Sequence, residues 1–335
     1  MLARIVDRLT ALVRQYCRHL QIVVAIGLTT ALLQHIDVSA LADALGTSDW
    51  RYAPMVLTLI FVDRYLMSFK WALLLRARGV KLSFARAFRI YLLAGFAGTF
   101  LPTSVGADVV KLARTTIAVG ELNNVTASII MERALGLTAL VLVTVAGLAF
   151  LAAVGEKRLM PLLFIASLVL ASLVVALALS FSKTVTERVK TILVKLRRYR
   201  IAQLLLGTQV AYAELGARRK VLTIFVALSL LEHGILSLQT FIGAVALGFD
   251  LRFLYFVALI PVTTLVGLLP ISIGGLGVTE GAFVVLFSLV GLSGAEALAL
   301  AVYMRAVGLV SLVPGGLIFA QDVAALKCPE AANRG

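Results

Sequence analysis

The chain has 335 residues, of which 61% are hydrophobic and only 14% charged, whereas an ordinary water-soluble domain carries about a quarter charged residues. A soluble globular enzyme is thereby excluded, and an all-α polytopic membrane protein is expected. Lys and Arg number 31 against 17 Asp and Glu, a formal charge of +14. Such an excess belongs in loops that set topology and face anionic lipid.

Residues 1–18 place Leu2, Ile5, Val6, Leu9, Leu12, Val13 and Tyr16 at helical spacing, opposite Arg4, Arg8, Arg14 and Arg18. This is the pattern of an interfacial amphipathic helix leading into a first span. Val38-Ser39-Ala40 is loosely cleavage-like, but the basic segment before it is too long for a signal peptide. A helix needs about 20 apolar residues to cross a bilayer, and six runs qualify: 20–36, 53–75, 133–154, 161–181, 221–247 and 298–320.

Two further apolar stretches, 84–120 and 253–292, are each interrupted near the centre. The first carries Pro102, Ser104 and Gly106, and the second Pro270, Ser272, Gly274, Gly275 and Gly277. Proline removes a backbone donor and glycine loosens a helix, so both stretches are predicted as broken or re-entrant hairpins. Broken backbone at membrane depth is tolerated only against protein or a wet cavity, which makes the two breaks candidate site walls. Between them, the loop 182–220 holds ten basic residues but only Glu187 and Glu214 as acids. It is read as a topology determinant resting on anionic headgroups, and no nucleic-acid partner is expected. A tail, 321–335, follows the last span. Cys17 and Cys328 lie near opposite ends and suggest neither a disulfide nor a metal site; no metal and no cofactor are expected.

If both interrupted stretches return to the side they entered, 23 basic residues share one face and only Arg51, Lys157, Arg158 and Arg252 lie on the other. The positive-inside rule then puts both termini in the cytoplasm.

The chain also repeats itself. Leu101-Pro102-Thr103-Ser104-Val105-Gly106 returns as Leu269-Pro270-Ile271-Ser272-Ile273-Gly274, and Arg133-Ala134-Leu135-Gly136-Leu137 as Arg305-Ala306-Val307-Gly308-Leu309. Gly79, Leu82 and Phe84 match Gly248, Leu251 and Phe253, and Asp63 matches Glu232, with separations held between 168 and 172 residues. Two membrane repeats, 19–154 and 155–320, are therefore predicted. Three crossings separate equivalent points, so the repeats are expected to be inverted, an architecture common among alternating-access transporters.

Ionisable groups inside a bilayer cost about 2.5–3.5 kcal/mol each on insertion scales and so pair or act. Here they are Asp63, Arg64, Lys70, Asp108, Glu132, Arg133, Glu232, His233, Glu280 and Arg305. Asp108 and Glu280 follow the two breaks, while Arg133 and Arg305 are repeat-equivalent. The expectation is a ring of two carboxylates and two guanidinium groups, whose fork geometry suits a phosphate. Structural neutralisation of Asp108 and Glu280 by the arginines is the alternative. Glu132, beside Arg133, is expected on a different helix face. Asp63, Arg64, Glu232 and His233 are secondary candidates, and Lys70 is expected to snorkel to the interface. Gly274-Gly275-Leu276-Gly277 has no preceding strand, so a dinucleotide loop is rejected. Its glycines let backbone amides approach an anion.

Leu101-Pro102 with Gly106, Asp108, Lys111 and Arg114, then Glu132-Arg133, then Leu269-Pro270 through Gly274-Gly275-Leu276-Gly277 and Glu280-Gly281, resemble the lysylphosphatidylglycerol synthetase transmembrane-region family, also called flippase-like domain proteins. The resemblance covers nearly the whole chain, from the first span to Gly316, and extends to the stand-alone type associated with hopanoid biosynthesis. It implies movement of a phospholipid or other anionic or lipid-linked amphiphile between leaflets. It also implies that Asp108, Lys111, Arg114, Glu132, Arg133, Glu280 and Arg305 contribute to substrate binding or coupling. The first break has Ser104-Val105-Gly106-Ala107-Asp108, where the family more often shows consecutive glycines before the Asp. No soluble transferase domain follows Ala320, so the chain is expected not to be an enzyme.

The resulting expectation is a multi-pass protein of the bacterial inner membrane that moves lipid through a polar groove between two hairpins. The alternative is a non-transporting scaffold subunit with a lipid- or hopanoid-modifying enzyme as partner. Small residues on several spans permit homo-oligomeric contacts.

Overall fold

The computed structural model describes residues 26, 30, 34, 38–99, 106–180, 187–188, 191, 209–210, 213–269 and 271–327. The predicted amphipathic helix 1–18, most of the span 20–36 and of the loop 182–220, Pro102, Ser104, Pro270 and the end of the tail lie outside them. Among the described residues all regular structure is helical. The principal helices are α1 (Val38–Gly46), α2 (Ala53–Ala77), α3 (Phe84–Thr99), α4 (Gly106–Val119), α5 (Leu122–Ala153), α6 (Met160–Ser180), α7 (Arg219–Ala246), α8 (Phe253–Gly267), α9 (Val278–Ser288), α10 (Gly294–Val310) and α11 (Val313–Lys327).

Five stretches are long and apolar enough to cross a membrane: Trp50–Ala77, Leu122–Ala153, Lys157–Ala176, Arg219–Ala246 and Gly294–Val323. They correspond to five of the six predicted runs, and the protein is accordingly a multi-pass membrane protein. Local signals set the ends. Asp49 accepts a bond from the Arg51 amide at 3.0 Å and Pro54 stands in the first turn of α2, where its missing N–H costs nothing. Gly79, at φ +76°, closes the same helix by donating to the Arg76 carbonyl. Ser293 and Glu296 form a capping box that starts α10.

Two spans depart from expectation. The run expected to open at Arg133 begins at Leu122, so Glu132 and Arg133 lie three turns inside α5. The run 298–320 is not one helix: it breaks at Ser311-Leu312 between α10 and α11. Pro314 sits in the first turn of α11, where its ring would clash with the carbonyl four residues earlier in an unbroken helix.

Both interrupted stretches are antiparallel helical hairpins. In the first, α3 and α4 meet at Gly98 and Ala107 near the tip, and further back Lys111 lies over the Tyr91 ring at 5.2 Å. In the second, Gly267 lies beside Thr279, while the Phe256 and Phe287 rings pack at 5.2 Å. The longest limb has 16 residues, about 24 Å at 1.5 Å per residue, which falls short of a hydrocarbon core of about 30 Å. The tips adjoin: a side chain built at Gly274 would come within 3.9 Å of the Thr99 carbonyl.

The helices pack reciprocally. At the centre, α2 and α7 run antiparallel, with the Asp49 amide bonded to the Ala246 carbonyl at one end and Lys70 meeting Ser229 and Glu232 further along. Limb α8 of the second hairpin crosses α5, and limb α3 of the first hairpin crosses α11. Glycine permits both approaches. A Cβ at Gly147 would stand 2.9 Å from the Ala258 Cα, and one at Gly315 would strike the Leu92 carbonyl. Gly147→Val is therefore expected to lower stability by about 1–3 kcal/mol through overpacking. Thermal unfolding in detergent checks this, with Gly234→Ala, which has open space around it, as the control. On the periphery, α6 exposes Phe164, Ile165, Leu168, Val174 and Val175, the apolar surface that faces acyl chains.

Candidate functional site

Each hairpin carries a carboxylate at the third residue of its second limb: Asp108 in α4 and Glu280 in α9. Unpaired amides and the helix dipole favour an anion in that first turn. In both halves the partner is an arginine 25 residues further on, at the twelfth residue of the following long helix. Arg133 donates from Nε to Asp108 Oδ2 at 2.6 Å. Arg305 donates from Nε to Glu280 Oε1, and from Nη1 to the Gly274 carbonyl at 3.4 Å. The other Glu280 oxygen accepts from the Gly277 amide at 2.8 Å. Gly274, Gly275 and Gly277 have φ of +61°, +70° and +77°, backbone that only glycine adopts at little cost. The second break is thus folded around its own acid.

The two pairs do not form one ring. Asp108 and Arg133 line a cavity of about 270 Å³ together with Lys111, Glu132, Lys70, Glu232 and His233. Glu280 and Arg305 line a second cavity of about 510 Å³ together with Asp63, Gln239, Thr240 and Thr279. Arg64, Thr264 and Leu268 belong to both walls.

Around the first cavity the charges form a network. Lys111 is 4% exposed and reaches Asp108 Oδ1 at 3.2 Å and Glu132 Oε2 at 2.7 Å, with the Trp71 and Tyr91 rings 5.3 and 5.2 Å away. Helix α4 folds back against α3 and carries Lys111 into the bundle. Although Glu132 and Arg133 are adjacent on α5, both line the same cavity, Glu132 paired with Lys111 and Arg133 with Asp108.

Lys70 does not snorkel. It is 3% exposed, bonds Ser229 at 2.9 Å, pairs with Glu232 and sits over the Phe225 ring at 4.9 Å. The antiparallel partner α7 supplies all three contacts, which hydropathy along α2 could not reveal. Neither ring nitrogen of His233 has a hydrogen bond of good geometry among the described residues. Arg114 is not part of either cavity. It and Arg89 share Asp322 of α11, at 2.8 and 2.9 Å, which ties the first hairpin to the last helix. Among the described residues no group of three His, Cys, Asp or Glu side chains could hold a metal ion.

Such an arrangement can stabilise a polar, charged moiety between hairpins while the surrounding helices keep an apolar face to lipid. A protein-family model with the description Lysylphosphatidylglycerol synthase TM region matches residues 19–316. No curated protein and no solved structure matches the chain.

Proposed function

We propose, from the premise that the chain belongs to the lysylphosphatidylglycerol synthase TM region family, that it carries lipid between the leaflets of a bacterial cytoplasmic membrane. The headgroup passes through the two cavities while the acyl chains stay in the bilayer. The observation that carries this reading is the pair of adjoining charged cavities, each built on a hairpin acid and the arginine 25 residues beyond it. A chain selected only for stability has no need of so many ionisable groups at membrane depth, each of which costs about 2.5–3.5 kcal/mol to insert.

The reciprocal packing and the antiparallel α2 and α7 support two repeats of opposite orientation, the arrangement in which substrate sits at the repeat interface. In this reading both termini are cytoplasmic. Asp108 and Glu280 position the arginines, and Arg133 and Arg305 attract the anionic headgroup. The activity requires no covalent chemistry.

The test is leaflet exchange of labelled phosphatidylglycerol in liposomes containing the purified full chain. Exchange well above the protein-free rate, lost in the Arg133→Ala/Arg305→Ala double variant, is the expected result. A rate equal to that of empty liposomes would overturn the proposal and favour a scaffold that holds a lipid-modifying enzyme.

A further inference from the structure

We infer that Arg64 is the anion contact at which a phosphate-bearing headgroup crosses from one cavity to the other, an assignment that deepens the transport reading and rests on it. Arg64 is the charged side chain common to both cavity walls. Every other Lys or Arg lining these cavities is ion-paired: Lys70 with Glu232, Lys111 with Asp108 and Glu132, Arg133 with Asp108, and Arg305 with Glu280. Arg64 has no such pair among the described residues. Its neighbour Asp63 shares the wall of the second cavity and acts on it through space, but forms no ion pair with it among the described residues.

A guanidinium held in a partly enclosed site with no ion-pair partner bonded to its fork is open to an incoming anion, and the fork matches two phosphate oxygens. Arg133 and Arg305 meet the headgroup with their carboxylates beside them, and Arg64 carries the attraction between these two sites. Thr264, on the same shared wall, adds a hydroxyl donor beside it. The ligand class is a phosphate monoester or diester borne by a lipid.

The experiment measures binding of phosphatidylglycerol to the full chain in nanodiscs of zwitterionic lipid by native mass spectrometry, with diacylglycerol as the uncharged probe and inorganic phosphate as soluble competitor. The same variants are run in the exchange assay. Wild type is expected to prefer phosphatidylglycerol over diacylglycerol. Arg64→Ala is expected to lose about ten- to a hundredfold in affinity, Arg64→Lys to recover part of it, and Arg86→Ala, outside both cavities, to change nothing. Unaltered unfolding midpoints for the two Arg64 variants exclude misfolding, and Arg64→Lys carries the test if Arg64→Ala does not fold.

Equal retention of both lipids, or affinity in Arg64→Ala within twofold of wild type, would overturn the assignment. So would displacement by inorganic phosphate at the affinity of the lipid, which would mark a site for the free anion. Wild type that binds selectively through Arg64 but does not exchange lipid overturns the transport reading and leaves the anion site standing. Exchange that survives Arg64→Ala overturns the Arg64 assignment alone.

Discussion

Replacing Glu232 with leucine is expected to lower stability by about 3–5 kcal/mol, the usual cost of stranding one partner of a buried ion pair. Lys70 would keep its bond to Ser229 and its place over Phe225, but it would lose the carboxylate with which it forms an ion pair. The double variant Lys70→Met/Glu232→Leu is expected to regain most of the loss, because removing both charges removes the desolvation penalty along with the attraction. Thermal unfolding of the four proteins in one detergent provides the cycle. A cost for Glu232→Leu below about 1 kcal/mol, the scale of an exposed pair, would mean that water reaches Lys70.

The second large effect is expected at Asp108, whose two oxygens serve two cations, Lys111 and Arg133. Asp108→Asn leaves Lys111 with Glu132 and Arg133 without its carboxylate. Because Arg133 is 40% exposed and Lys111 keeps Glu132, stability should fall by only about 1 kcal/mol, while lipid exchange should fall by more than about tenfold, the factor that corresponds to 1.4 kcal/mol. The double variant Asp108→Asn/Arg133→Gln separates the two effects. It removes both members of the pair, so the unfolding midpoint should return towards wild type, while exchange should stay low because the headgroup contact is gone. Recovery of exchange together with stability would assign the pair a purely structural role. Glu280→Gln makes a further comparison, since it weakens the pair with Arg305 and also the bond from the Gly277 amide that starts α9.

Much of the architecture was legible in the residues. Five of the crossings follow from apolar runs, and both hairpins follow from Pro and Gly set within apolar stretches. The repeat of Leu101-Pro102 at Leu269-Pro270 and of Arg133 at Arg305 pointed to one ring of four charges, and the alternative reading of separate arginine–carboxylate pairs is the one the geometry matches. Less was legible at the ends. The polar start of α5, from Leu122 to Thr126, hid ten residues of helix ahead of Glu132, because hydropathy reports what a segment can bury and not where its backbone bonds begin. Pro314 stands within a long apolar run, where a proline that breaks a helix looks the same as one carried inside a helix, as Pro261 is in α8.

The charged residues mark the boundary between the two kinds of information. Their depth is local: a carboxylate or guanidinium within an apolar run must meet a partner or water, whatever the rest of the chain does. That much the sequence determined by itself, together with the spans and the breaks, because each depends on how one segment is solvated. Which partner each charge meets is not local. Lys70 finds Glu232 across 162 residues of chain, Lys111 turns inward because α4 folds back on α3, Arg114 turns away to Asp322, and Arg64 falls where two cavities join. Only the tertiary structure decided these, since pairing depends on the crossing points and register of helices far apart in sequence, and a lysine that snorkels and one that is buried carry the same local signature.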